Sequence, residues 1–267
     1  MNAITEAAVL ELSLPSAAPW LVTRRRGKNG ELRIFYRRDD ERFRQYAALH
    51  DHSGYFRLAP NTAWGTSIVL SPTFWSRGRL HQGAALQMTW QMEKTALALS
   101  GHGAIGGLQF RLKVLLSAPQ LHCIEARVRV RTSGQIPLDQ RSGEAFKPVM
   151  LSSMRVSCAR WDTAHLLLDG QTHDFDEASP SPQKAPSGWI LAPDSMLSAR
   201  KFGFAGGNSD WKRNAPTIEI RFAQPMPIAG WRSASRNPNG DNLALWAACD
   251  DVLPSWDYTI IASHAGK

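Results

Sequence analysis

The chain has 267 residues, of which 43% are hydrophobic and 20% charged, enough to bury a sizeable core in one large β domain or two small ones. The composition is that of an ordinary soluble globular protein, and no stretch approaches the ~18 consecutive apolar residues of a membrane span. The formal net charge of +8 favours an anionic partner or surface.

Residues 1–20, ending at Pro15–Pro19, read as a loose lead-in. They lack a basic start, and Glu6 and Glu11 interrupt the apolar residues, so no secretory signal is expected. The expected location is cytoplasmic as encoded, with non-classical export left open. Residues 21–267 are expected to form a single domain. The densest run of cations is Thr23–Tyr46, interrupted by Asp39, Asp40 and Glu41. A nucleic-acid contact stands against a solvated, partly ion-paired face, and the interrupting acids favour the latter. One short helix is predicted at 38–50, where Phe43, Tyr46 and Ala47 recur at helical spacing.

Beyond Gly54 the pattern has period two. Met88, Trp90 and Met92 alternate with Gln87, Thr89 and Gln91. Leu108, Phe110, Leu112 and Val114 alternate with Gln109, Arg111 and Lys113. Ile124, Ala126, Val128 and Val130 alternate with Glu125, Arg127, Arg129 and Arg131. Ile218, Ile220 and Phe222 alternate with Glu219 and Arg221, and Trp256, Tyr258 and Ile260 share a face. This is the half-buried strand signature, with one face on a core and one in water. Turns are expected at Ser100–Gly107, Ser117–Gln120, Thr132–Gln135 and within Asn237–Asn242. Longer connections span Gly134–Pro148 and Asp174–Gly188. Many strands joined by turns, without interleaved helices, predict an all-β antiparallel sandwich, similar in pattern to jelly-roll and concanavalin-like domains.

Four features bear on chemistry. Alternation puts Arg127, Arg129 and Arg131 on one sheet face, and a hairpin with the preceding strand would add Arg111 and Lys113. Guanidinium forks suit carboxylates, sulfates or phosphates. The plainer reading is a solvated face neutralised by Glu125 and Glu219. Among the 10 Trp, Trp75 and Trp211 lie beside turn-forming residues and are candidates to stack on sugar rings, whereas Trp90, Trp246 and Trp256 suit a core. Asp139 and Glu144 flank Arg141 in one loop and are the acid–base candidates for glycoside hydrolysis or lyase chemistry, against a local ion-pair cluster. His81 and His102 are further candidate bases.

Asn237, Asn239 and Asp241 form a weak calcium candidate, but one carboxylate falls short of the usual ligand set, and Asn239-Gly240 is a strong turn pair. No other cofactor is expected. The three cysteines, Cys123, Cys158 and Cys249, include no close pair and read as small buried hydrophobes rather than a disulfide or zinc framework. The function these features favour is binding, with or without cleavage, of a polysaccharide, preferably an acidic one. The alternatives are a small-molecule enzyme with an apolar cavity and a non-enzymatic assembly protein.

Overall fold

The computed structural model describes residues 10–12, 20–24, 32–36, 55–59, 67–70, 73–76, 79–82, 87–93, 95–105, 107–135, 149–158, 164–173, 188–191, 197–206, 217–233, 241–249 and 255–263. These residues form nineteen strands and no helix. The helix expected at 38–50 and the loop expected to hold Asp139 and Glu144 fall outside the described residues.

One ladder contains the strands whose alternation was clearest. These are β8 (Gln87–Glu93), β9 (Ala96–Ile105), β10 (Leu108–Gln120), β11 (Cys123–Gly134), β13 (Ala164–Leu168), β14 (Gln171–His173), β16 (Ser198–Gly206), β17 (Thr217–Ser233) and β19 (Ser255–Ser263). Their pairing order is β8-β9-β10-β11-β19-β17-β16-β13-β14, antiparallel throughout. The C-terminal strand β19 thus lies between β11 and the N-terminal part of β17.

The second ladder begins with β1 (Leu10–Leu12), β2 (Trp20–Arg24), β3 (Leu32–Tyr36), β4 (Tyr55–Ala59) and β5 (Ser67–Val69). It continues through β12 (Val149–Cys158), β18 (Asp241–Cys249), the C-terminal part of β17 and β15 (Gly188–Leu191). Only β4–β5 is parallel among the described pairs. The hairpin of β6 (Thr73–Ser76) and β7 (Arg79–Gln82) joins through β12.

Strand β17 belongs to both ladders. Residues Thr217–Phe222 pair with β19, and Ile228–Ser233 pair with β18. Between them lie Pro225 and Pro227. Proline has no N–H to donate, so a sheet accepts it where regular pairing is interrupted. The register shows that interruption: Lys201 opposes Arg221, yet Ala199 opposes Met226. Pairing resumes where the Ile228 N–H donates to the Leu197 carbonyl at 2.9 Å.

Burial follows the expected period. In β10, Leu108, Phe110, Leu112, Val114 and Leu116 are buried, while Gln109, Arg111 and Lys113 are exposed. In β19, Trp256, Tyr258, Ile260 and Ala262 are buried. A single cluster of buried side chains joins residues of both ladders, including Val22, Ile68 and Leu245 from one and Phe110, Val128 and Ile220 from the other. Phe202, Phe222 and Tyr258 pack in series, with ring centroids 6.2 Å and 5.7 Å apart. Trp256 lies in this core as expected, whereas Trp90 is only partly buried against it.

Three expected turns are displaced. Ser117–Gln120 continues β10 through a register shift, so the reversal falls at Leu121–His122. A bulge accommodates Pro119 without ending the strand. The run from Ser100 remains strand to Ile105, which pairs with Leu108, and Gly107 lies in the turn between them. Likewise Thr132–Gly134 completes β11, with Gly134 at φ 100°. Of the turn expected within Asn237–Asn242, residues 237–240 lie outside the described residues, while Asp241 and Asn242 belong to β18. A further turn, Asp169-Gly170, with both residues at positive φ, closes the β13–β14 hairpin. The Asp169 carboxylate accepts the Arg200 and Lys201 backbone N–H groups at 2.8 and 2.9 Å, tying this turn to β16.

Gly203 marks a close backbone approach of β16 to β17. A Cβ there would run into the Ile218 carbonyl oxygen and lie 2.8 Å from Glu219 Cα. Since neither is a movable side-chain end, Gly203→Ala is expected to destabilise the protein by about 2 kcal/mol or more. Chemical denaturation of the two proteins measures this, and equal stabilities would show that the two strands separate at little cost.

Candidate functional site

The solvent face of β10, β11, β19 and β17 collects charge because the opposite face is apolar. The β10–β11 pairing sets Arg111 opposite Arg131 and Lys113 opposite Arg129. All five cations anticipated for this face therefore share it. Directly opposed residues on one face stand about 4.5–5.5 Å apart at Cβ, and like charges at that separation destabilise a sheet.

The registers extend this pairing into rows across the strands. Gln87, His102, Arg111, Arg131 and Ser255 form the first. Thr89, Ser100, Lys113, Arg129 and Asp257 form the second. Leu115, Arg127, Thr259, Arg221 and Lys201 lie in the third. Ser117, Glu125, Ile261 and Glu219 lie in the fourth. Charge is therefore graded along the strands, with cations at one end and carboxylates at the other.

The carboxylates neutralise the nearer cations. Arg127 Nε donates to Glu125 Oε1 at 2.5 Å, and Arg221 Nη2 donates to Glu219 Oε2 at 2.6 Å. Both bonds span two residues of one strand. Arg129 Nε donates to Asp257 Oδ1 at 3.1 Å across the β11–β19 pair. Arg111, Lys113 and Arg131 make no ion pair with a described residue. The unbalanced charge is thus a corner of the face holding Arg111, Lys113 and Arg131, with exposed His102 beside Arg111.

The other candidates fall differently. Trp75 belongs to β6 in the second ladder, opposite Leu80, so its strand is not part of the basic face. His81 pairs with Phe74 in the same hairpin. Trp211, Asp139, Glu144, Asn237 and Asn239 lie outside the described residues, while Asp241 opens β18 opposite Cys158. Asp257 was missed as a partner for Arg129. The alternation of Trp256 and Tyr258 places it on the solvent face, but only the β11–β19 pairing shows which arginine it meets. Among the described residues, no three of His, Cys, Asp and Glu come together to hold a metal ion.

Cys123 is half-buried rather than fully buried. Burial pushes its thiol above the usual range, Glu125 adds to the rise and Arg221 opposes it. A raised pKa keeps the sulfur protonated and weakly nucleophilic at neutral pH. Alkylation of Cys123, followed by peptide mass spectrometry from pH 7 to 10, should rise at higher pH than for a free cysteine peptide. Reaction at or below the peptide's pH would contradict this assignment.

The Arg129–Asp257 pair is exposed, with both side chains 59% accessible. A double-mutant cycle with Arg129→Ala and Asp257→Ala should give a coupling of about 0.2–1 kcal/mol that shrinks with added salt. A coupling above about 2 kcal/mol would place the pair in a far less solvated setting.

No protein-family model matches the chain, and no curated protein matches its sequence. Among solved structures, it is similar to the Slr1438 protein of Synechocystis sp. PCC 6803, with 13% identity, all of both chains covered and a TM-score of 0.50. It also matches 4-alpha-glucanotransferase from Thermococcus litoralis, with 9% identity, 98% of this chain and 38% of the other covered, and a TM-score of 0.46. A third match is alpha-N-acetylgalactosaminidase NagBb from Bifidobacterium bifidum in its Gal-NHAc-DNJ complex, with 8% identity, 96% and 36% covered and a TM-score of 0.48. The chain therefore spans little more than a third of the length of either enzyme. The first likeness concerns the fold alone.

Proposed function

We propose that the protein is a carbohydrate-binding β-sandwich of the jelly-roll or concanavalin-like type, whose basic face holds an acidic polysaccharide. The observation that carries this reading is the unbalanced corner of Arg111, Lys113 and Arg131 on two adjacent strands. Burial of the alternate residues forces these cations together, and within the described residues no carboxylate pairs with them. A carboxylate or sulfate on a sugar relieves the repulsion and accepts bidentate bonds from a guanidinium. Arg127 and Arg129, already engaged by Glu125 and Asp257, line the path along which a polymer would continue. Trp211 is the proposed stacking residue, and Trp75, on the second ladder, would stack on a polymer long enough to extend beyond the basic face. Asp139 and Glu144 are the proposed acid and base should the polymer be cleaved.

The three ion pairs favour a second reading, a solvated face with no specific ligand. Native affinity electrophoresis separates the two readings. Gels would contain a neutral glycan, a uronate polymer, a sulfated polymer or DNA, and each would afterwards be stained for lost polymer. Retardation by one acidic glycan, weakened about tenfold or more in Arg111→Gln with Arg131→Gln, is the expected result. That variant should fold at least as stably as the parent, because it removes a directly opposed like-charge pair. Clearing of the polymer, abolished by Asp139→Asn or Glu144→Gln, would add catalysis. Equal retardation by every polyanion, lost at moderate salt, would reduce the face to non-specific electrostatics. Absence of retardation in all gels would overturn the proposal.

A further inference from the structure

Strand β8 ends its ladder, since among the described residues it pairs only with β9. An edge strand presents a row of unpaired N–H and C=O groups, and proteins usually blunt it with proline, lysine, a bulge or a covering element. Strand β8 itself carries none of the first three. Its sequence, Gln87-Met-Thr-Trp-Gln-Met-Glu93, contains no proline and no cation, and its register with β9 runs unbroken for seven residues. Gln87, Thr89, Gln91, Met92 and Glu93 are exposed, and no described strand other than β9 pairs with β8.

The apolar face of β8 is also unfinished. Met88 and Trp90 are only partly buried against the core, and Met92, on the same face, is 40% exposed. This face calls for one more strand. The sequence favours a particular one, because it is nearly symmetric about Trp90. An antiparallel second β8 centred there would oppose Met88 with Met92, Thr89 with Gln91, and Gln87 with Glu93. The apolar side chains then fall together on the core side, while neutral or oppositely polar side chains meet on the solvent side. No like charges oppose one another. Self-complementarity of this kind is what a two-fold interface requires, since one segment must serve as its own partner.

From this juxtaposition we infer that β8 is a self-association edge, through which two copies of the chain join antiparallel about Trp90 and extend the β8–β14 ladder across the dimer. A second copy fits better than an unrelated strand because the near-palindrome serves no purpose toward a foreign sequence. Seven residues provide on the order of six interchain backbone hydrogen bonds. One added strand buries less than a standard interface of about 1,600 Å², so a dimer with a dissociation constant of about 1–100 µM is expected.

Sedimentation velocity of the full chain, from about 1 to about 200 µM, tests this range. A concentration-dependent dimer is expected, weakened at least about tenfold by Thr89→Lys with Gln91→Lys, which oppose two lysine pairs across the axis. Both positions are exposed, and thermal melts check that the variant folds. Disulfide trapping provides a second readout that does not depend on the lysine variant. A Thr89→Cys chain mixed with a Gln91→Cys chain should crosslink faster than either alone, with the parent chain controlling for its native cysteines. A monomer at every concentration would overturn the inference. So would a dimer indifferent to the two lysines, or crosslinking that favours like with like. None of these outcomes depends on glycan binding, so this inference and the proposed function stand or fall separately.

Discussion

The structure depends on the burial of every second side chain in β10, β11 and β19. Phe110, Leu112, Val128, Val130, Trp256 and Tyr258 all enter one core, and the strands carrying them lie side by side. A slip of one residue in any of these strands would turn its whole apolar set into water. Full burial of one such side chain contributes about 1.5–3 kcal/mol, whereas an opposed pair of like charges costs less than about 1 kcal/mol. Repulsion between Arg111 and Arg131 therefore cannot reset the register. The basic face is a consequence of the core, and a ligand or counter-ions must settle its charge.

The same imbalance of magnitudes explains the grading of the face. Glu125 and Glu219 lie on the same strands as Arg127 and Arg221, two residues away, so those ion pairs need no tertiary contact to be in reach. Arg129 reaches across to Asp257. Such exposed bonds add little stability, but they decide where the field remains uncompensated. The result is a corner of positive potential rather than a uniformly positive sheet.

Among the described residues, strand β17 is the element the two ladders share. It passes from one to the other across its two prolines, which have no N–H to give to a ladder. Within the first ladder, Gly203 lets β16 approach β17 closely, and Asp169 ties the β13–β14 hairpin to β16 through two backbone N–H groups. The core also carries a cost. Trp256 Nε1 is buried without a hydrogen-bond partner among the described residues, which penalises the fold by about 1–3 kcal/mol. The ring's apolar area offsets that loss.

The strand class and the facing of individual residues were legible in the sequence, because side-chain direction in a strand has period two and needs no knowledge of neighbours. Arg127, Arg129 and Arg131 were thus assigned to one face, and their adjacency to Arg111 and Lys113 required only a hairpin. Turn positions were less legible. Ser117–Gln120 and Ser100–Ile105 contain turn-forming residues that the ladder absorbs as strand, while Asp169-Gly170 closes a hairpin whose second strand, at three residues, is too short to show alternation. By itself, then, the sequence determined the all-β class, the core faces and the local Arg–Glu pairs. Only the tertiary structure decided that β19 lies beside β11, that Asp257 neutralises Arg129 and leaves Arg131 uncompensated, and that β8 is an edge. The physical reason is that facing is a local property of the backbone. Adjacency of strands far apart in the chain is set by how the whole apolar surface is best buried together.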